Sequence, residues 1–171
     1  MLDSGLPFGV NLPIRFLKDE AMLRYVCESG IRFVTTSAGS PAKFMAPLKA
    51  AGARVSMFIG HDPRQIEASA RIGAAVVELH TGHYCDLHAE GRFADRDAEL
   101  VGLRAGAALA HSLGLEVHAG HGLTYDNVAP VAAMPQVMEL NIGHFLIGEA
   151  IYLGLEDAIL EMRRRMDDAR A

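Results

Sequence analysis

Three short stretches carry one pattern: Glu78-Leu79-His80, Glu116-Val117-His118 and Glu139-Leu140-Asn141. Each reads carboxylate, apolar residue, then imidazole or amide. Successive side chains of a strand point to opposite faces, so the two polar residues of each triplet share a face and the apolar one lies behind. Helices are expected to cover the apolar face. The polar face then turns inward, with the three carboxylates expected at similar height. A buried, isolated carboxylate is costly and neutralises or finds a partner. The cluster therefore predicts a solvated or ligand-filled cavity. The plainer alternative is that Glu116 and Glu139 pair with Arg or His across the interior.

Similar strand-sized runs recur along the chain, at Phe8–Leu12, Ile31–Thr36, Arg54–Ile59, Ala75–His80, Leu115–Ala119 and Val137–Ile142. Gly, Pro or polar residues bound each of them. Helical spacing fills the intervals. Lys18–Ser29 places Ala21, Met22, Tyr25 and Val26 at helical intervals before Gly30. Ser40-Pro41 and Asp62-Pro63 each pair an N-cap with a proline suited to the first helical position. Asp95 or Asp97 is the expected cap of a helix over Ala98–Leu113, and an amphipathic helix is expected from Glu149 to Arg170. Met57, Met134, Met138 and Met162 read as core filler, and Cys27 as buried.

Six β-then-α units predict an α/β fold with a parallel sheet. A closed eight-unit barrel needs about 200 residues or more, and this chain has 171. The expected architecture is an incomplete TIM barrel of about six parallel units forming a single domain over residues 1–171. A flavodoxin-like doubly wound sheet is the rival, and no strand is followed by the G-x-G-x-x-G of a dinucleotide fold.

Half of the residues are hydrophobic and the net charge is −5, which argues against a nucleic-acid partner. The balance is uneven: seven basic side chains face four acidic ones through Val55, and nine face seventeen after it. All eight histidines lie between His61 and His144. Two cysteines suggest a reducing compartment. No secretory signal or membrane-length apolar run is evident, so the expected location is the cytoplasm, away from membranes.

Parallel strands gather their C-terminal ends on one rim. The segments leaving that rim are Thr81-Gly82-His83, Gly120-His121-Gly122 and Gly143-His144. Glycine amides are accessible to an anion there, and imidazoles are available for proton transfer. His80, His83, Cys85 and His88 also have spacing that zinc accepts when the donors converge. Tyr84–Ala89 reads as a loop, so that convergence is unforced and no metal is expected.

These motifs resemble the pyridoxine 5'-phosphate synthase family over residues from about 54 to 171. Phe58-Ile59 with Asp62-Pro63 and Gln65-Ile66-Glu67 is similar to the family's fifth unit, and Glu78-Leu79-His80-Thr81-Gly82 to its sixth strand. Ala119-Gly120-His121-Gly122-Leu123 with Tyr125-Asp126-Asn127-Val128 resembles the seventh. Glu139 to Ala150, through Gly143-His144, resembles the eighth. The resemblance implies condensation of 1-deoxyxylulose 5-phosphate with 3-amino-2-oxopropyl phosphate, closing a pyridine ring with loss of water and phosphate. It gives His121 the late acid/base role and Glu78 transition-state stabilisation. Gly122, Gly143 and His144 would hold substrate or product groups, and Asn11 matches the asparagine of the first strand. It implies small phosphorylated substrates, no bound cofactor, and a mobile lid at Tyr84–Ala89 with Glu90-Gly91-Arg92-Phe93-Ala94 as its tip.

Residues 7–53 depart from that family. Phe8–Pro13 and Val34–Pro41 resemble the nitronate monooxygenase group of flavin barrels, with Thr35–Ser40 as the segment that would face FMN. Pro13 and Ile14 stand where the synthase's Asp-His would follow Asn11. The synthase's early His- and Arg-rich loop and its third-strand glutamate base have no counterpart, so turnover by this chain is expected to be impaired. An FMN-dependent oxidoreductase and a non-catalytic phosphate-binding or assembly remnant are the alternative functions. Two open sheet edges predict a homo-oligomer.

Overall fold

The computed structural model describes residues 8–16 and 21–171. Six strands form one sheet: β1 (Gly9–Pro13), β2 (Phe33–Ser37), β3 (Arg54–Ile59), β4 (Val76–His80), β5 (Glu116–Gly120) and β6 (Val137–Asn141). Every neighbouring pair is parallel, and the order in the sheet is the order in the chain. The order never reverses, so the sheet has no switch point of the doubly wound kind. The architecture is that of an incomplete α/β barrel, with β1 and β6 each paired to one neighbouring strand among the described residues.

The helices are α1 (Ala21–Glu28), α2 (Ala42–Ala50), α3 (Pro63–Arg71), α4 (Gly82–Ala89), α5 (Phe93–Ser112), α6 (Ala129–Ala132), α7 (His144–Leu153) and α8 (Leu155–Asp168). One face of the sheet supplies Val34, Val55, Met57, Val77, Leu79, Val117 and Ala119 to the core. Phe44, Met45 and Leu48 of α2, Ile66 of α3, and Leu103, Ala107 and Ala110 of α5 complete the same cluster. Thr36 is buried on that apolar side, and its hydroxyl donates to the Ser56 carbonyl at 3.3 Å, which offsets its desolvation.

Asp62 caps α3 as its sequence predicts. Its carboxylate accepts from the Arg64 amide at 2.9 Å, and Pro63 occupies the first turn. Arg64 holds the Asp62 carboxyl below the usual carboxylate range. Other expectations are corrected. Pro41 itself is the N-cap of α2, with no side-chain cap from Ser40. α5 begins at Phe93, ahead of both proposed aspartate caps. The expected C-terminal helix is two helices, because Gly154 adopts φ 87° between them. The expected helix over Lys18–Ser29 is described from Ala21, and its first three residues lie outside the described ones. Cys27 is only partly buried. No described helix is long and apolar enough to cross a membrane.

Two methionines with the same sequence reading have opposite fates: Met134 is 1% exposed and Met138 68%. Met134→Ala is expected to destabilise the fold by about 2–5 kcal/mol in urea unfolding. Met138→Ala should stay within about 0.5 kcal/mol of wild type. Equal effects would contradict the assigned strand geometry.

Candidate active site

The face opposite the core is polar, and strand register sets its layers. Glu78 of β4 is aligned with His118 of β5, and His118 with Glu139 of β6. Glu116 is aligned instead with Val76, one layer lower. The expectation of three carboxylates at one height is thus corrected. The motif of β5 is offset by one dipeptide, so an imidazole occupies the level of the two outer carboxylates.

The offset is compensated at β6 by a bulge. Val137 is aligned with Val117 and Glu139 with His118, leaving Met138 without a partner. Two residues therefore oppose one, and the strand switches faces. Val137 reaches the core, Met138 points to solvent, and Glu139 faces inward.

His118 is nearly buried and lies flat against Phe33, with ring centroids 6.2 Å apart and planes inclined by 15°. Its Nε2 is 2.8 Å from Glu116 Oε1, and its Nδ1 is 3.5 Å from Glu139 Oε1. Arg54 donates to the other oxygen of Glu116 at 2.8 Å. The plainer reading therefore holds for Glu116, paired with Arg54 and hydrogen-bonded to His118; Glu139, half exposed, only approaches His118 Nδ1, which makes no hydrogen bond. Arg54, and then His118, hold the Glu116 carboxyl below its usual range.

Glu78 differs. Burial pushes its carboxyl up, the His118 charge and the Asn141 amide oppose that rise, and Glu139 adds to it. Above it, His80, Gly120 and Asn141 form the next layer. Gly120 must lack a side chain, since a Cβ there would lie 2.6 Å from the Asn141 carbonyl oxygen and 2.8 Å from Glu78 Oε1.

The rim follows. Thr81 Oγ1 lies 2.7 Å from the Gly120 carbonyl oxygen and 2.8 Å from that of His121, within donating distance of both. The pair His121 and Gly122 turns with φ of 82° and 91°. A left-handed conformation is costly for a residue with a Cβ, so the His121 backbone is held by its surroundings. Gly143 is the N-cap of α7, which begins at His144.

All six residues singled out from the sequence line one cavity of about 570 Å³: Asn11, Glu78, His121, Gly122, Gly143 and His144. β1 and β6 both contribute to it, so the open sheet curves far enough to bring its two edges around a common space. Thr35, Phe58, Asn141 and Phe145 also line it. Asn141 was visible as the polar end of its triplet. Thr35 and Phe58 follow from strand alternation and register, and no local motif marks Phe145. Asn11 is steadied by the Ser37 hydroxyl, 3.2 Å from its Oδ1.

The loop assignment is corrected: Gly82–Ala89 is the helix α4, and α5 starts at Phe93. His80 sits on β4, whereas His83, Cys85 and His88 sit on α4. No group of three or more His, Cys, Asp or Glu side chains among the described residues is placed to share a metal ion. Burial pushes the Cys85 thiol up to about 11, so it is not a thiolate near neutrality.

Comparison with known proteins adds sequence kinship. Residues 19–168 match the family described as pyridoxal phosphate biosynthesis protein PdxJ. That span corrects the expected boundary near residue 54: the kinship reaches back to residue 19, through much of the stretch expected to resemble the flavin barrels. Pyridoxine 5'-phosphate synthase of Cereibacter sphaeroides is 73% identical over 143 residues, covering 84% of this chain and 56% of the relative. The synthase of Ruegeria pomeroyi is 72% identical over 130 residues, covering 76% and 52%. The chain thus spans about half the length of these curated relatives. An HpcH/HpaI aldolase from Desulfitobacterium hafniense has a similar fold, with a TM-score of 0.65 at 13% identity, covering 94% of this chain and 73% of that one.

Burial of Glu78 yields a stability prediction. Its pKa is higher folded than unfolded, so the folded state holds the proton more tightly. The associated stability is present in acid and is lost as pH rises through the folded pKa. Glu78→Gln removes that loss. Its melting temperature is expected to exceed wild type at pH 8, by about 2–4 °C per kcal/mol recovered. The gap should narrow toward pH 4, and a variant less stable at pH 8 would contradict the assignment.

Proposed function

The chain belongs to the PdxJ family of pyridoxal phosphate biosynthesis proteins, and from that premise we propose that its cavity serves pyridoxine 5'-phosphate formation. The reaction would join 1-deoxyxylulose 5-phosphate to 3-amino-2-oxopropyl phosphate, with loss of water and phosphate as the ring closes. The observation that carries this reading is the convergence of Asn11, Glu78, His121, Gly122, Gly143 and His144 on one space.

Each residue has a task suited to its chemistry. His121 is exposed at the rim, where an imidazole exchanges protons with a bound intermediate near neutral pH. Glu78 lies deeper in a less polar setting, where a carboxylate stabilises positive charge more strongly than in water. The amides of Gly122 and Gly143, with the His144 side chain, suit phosphoryl oxygens. Asn11 offers both a donor and an acceptor from the far wall. The set requires no bound cofactor.

Turnover by this chain is a separate matter. Pro13 and Ile14 follow Asn11 where the synthase resemblance implies Asp-His, so the first strand's contribution to ring closure is proposed to be weaker than in the family. Substrate-sized phosphates and a cytoplasmic setting complete the reading.

The exposed side chains of α7 and α8 support self-association. Ile147, Ile151, Tyr152, Leu155 and Leu160 all face solvent, and α7 buries none of its residues. An apolar surface of this kind, at the β6 end of the sheet, suits a second copy of the chain. Light scattering after size exclusion is expected to give an oligomer, and a monomer at micromolar concentration would contradict it.

Calorimetric titration with pyridoxine 5'-phosphate and with inorganic phosphate tests the site. His121→Ala and His144→Ala are each expected to weaken binding about tenfold, the loss of one charge-assisted contact. Binding unchanged by either substitution would overturn the proposed function.

A further inference from the structure

The backbone of His121 is pinned on several sides. Its amide donates to the Asn141 carbonyl at 3.4 Å, and its carbonyl oxygen lies within reach of Thr81 Oγ1 at 2.8 Å and the Cys85 thiol at 3.7 Å. Its ring is different: among the described residues the imidazole makes no hydrogen bond to protein. A histidine that moves protons is ordinarily oriented by a partner on its other nitrogen. Here only other rings are available for that purpose.

His80 lies face to face with His121, with centroids 4.8 Å apart and planes inclined by 27°. Phe58 meets the edge of His80 at 5.1 Å and tilts toward His121 at 6.2 Å. From the other side Gly82 closes the gap. A Cβ at Gly82 would lie 2.4 Å from His80 Cε1 and 3.2 Å from His121 Cδ2. His80 is thus wedged between an aromatic ring and a bare backbone, and it does not line the cavity itself.

We propose that His80 is a positioning residue for His121, its ring being the plate that holds the His121 imidazole in one orientation toward the cavity. Stacking does for His121 what a hydrogen-bonded carboxylate does elsewhere. Burial and the neighbouring His121 lower the His80 pKa, which disfavours charge on the plate. The inference rests on the proposed role of His121 in ligand binding and proton transfer, and it adds a residue to that role. It also accounts for glycine at position 82, where a Cβ would displace the His80 ring and crowd that of His121.

The test compares His80→Ala, which removes the plate, with His80→Phe, which keeps a ring without its nitrogens. His80→Ala is expected to weaken pyridoxine 5'-phosphate binding about 3- to 10-fold, the worth of one aromatic pair. His80→Phe should restore it to within about 2-fold. In a His121→Asn background, His80→Ala should have no further effect. A second readout is the His121 Cδ2–H resonance, expected to be shifted upfield in wild type and His80→Phe and to relax to its solution position in His80→Ala. Gly82→Ala should relax it too, which covers failure of His80→Ala to fold. His80→Phe behaving like His80→Ala, an undiminished effect in the His121→Asn background, or an unmoved resonance would each overturn the proposal. Failure of wild type to bind pyridoxine 5'-phosphate would count against the proposed function alone, since the resonance still decides the role of His80.

Discussion

The interior of the sheet depends on one compensation: the His118 imidazole at the level of Glu78 and Glu139, braced below by Glu116 and Arg54. Carboxylates facing an interior are tolerable only with partners or water. The offset of β5 relieves the crowding of like charge by setting an imidazole where exact repetition of the motif would have set a third carboxylate. Glu116, displaced to the lower layer, takes up Arg54 and fixes His118 from beneath. Glu78 is then the carboxyl group that lines the cavity, its pKa raised by burial rather than held down by an arginine.

Consequences spread upward from that register. With Gly120 between His80 and Asn141, the strand carries no side chain where Glu78 and Asn141 approach one another. The chain leaves β5 through the strained turn at His121 and Gly122, held by Thr81 and Cys85. Cys85 serves as packing there: a buried thiol pushed up to about 11 offers no nucleophile near neutrality. The rim is thus rigid in its backbone and oriented by ring contacts in its side chains.

Much of this was legible in the sequence, because local chemistry writes it. Asp62-Pro63 names a helix start, and the alternation in Glu78–His80 and its relatives names strands with one polar face. The six site residues could be picked out because glycines and histidines recur at strand ends, and because the motifs resemble a known family. What was not legible is relational. Nothing near Glu116 says that it aligns with Val76, and nothing near Met138 says that a bulge expels it while Val137 stays in the core. Both facts depend on how β5 and β6 pair. Likewise Tyr84–Ala89 reads locally as a loop, yet it lies in the helix Gly82–Ala89, with Tyr84, Cys85 and Leu87 buried.

The sheet remains open, and its kinship is to proteins about twice the matched length, yet β1 and β6 both reach the same cavity. The central claim is that strand register alone gathers Asn11, Glu78, His121, Gly122, Gly143 and His144 around a ligand-sized space. A crystal structure of the chain with pyridoxine 5'-phosphate addresses it most directly. The account expects the phosphate within hydrogen-bonding distance of the Gly122 or Gly143 amide, the ring beside His121, and His118 between Glu78 and Glu139. A ligand seated elsewhere, or a β5 shifted by two residues so that Glu116 meets Glu78, would contradict it.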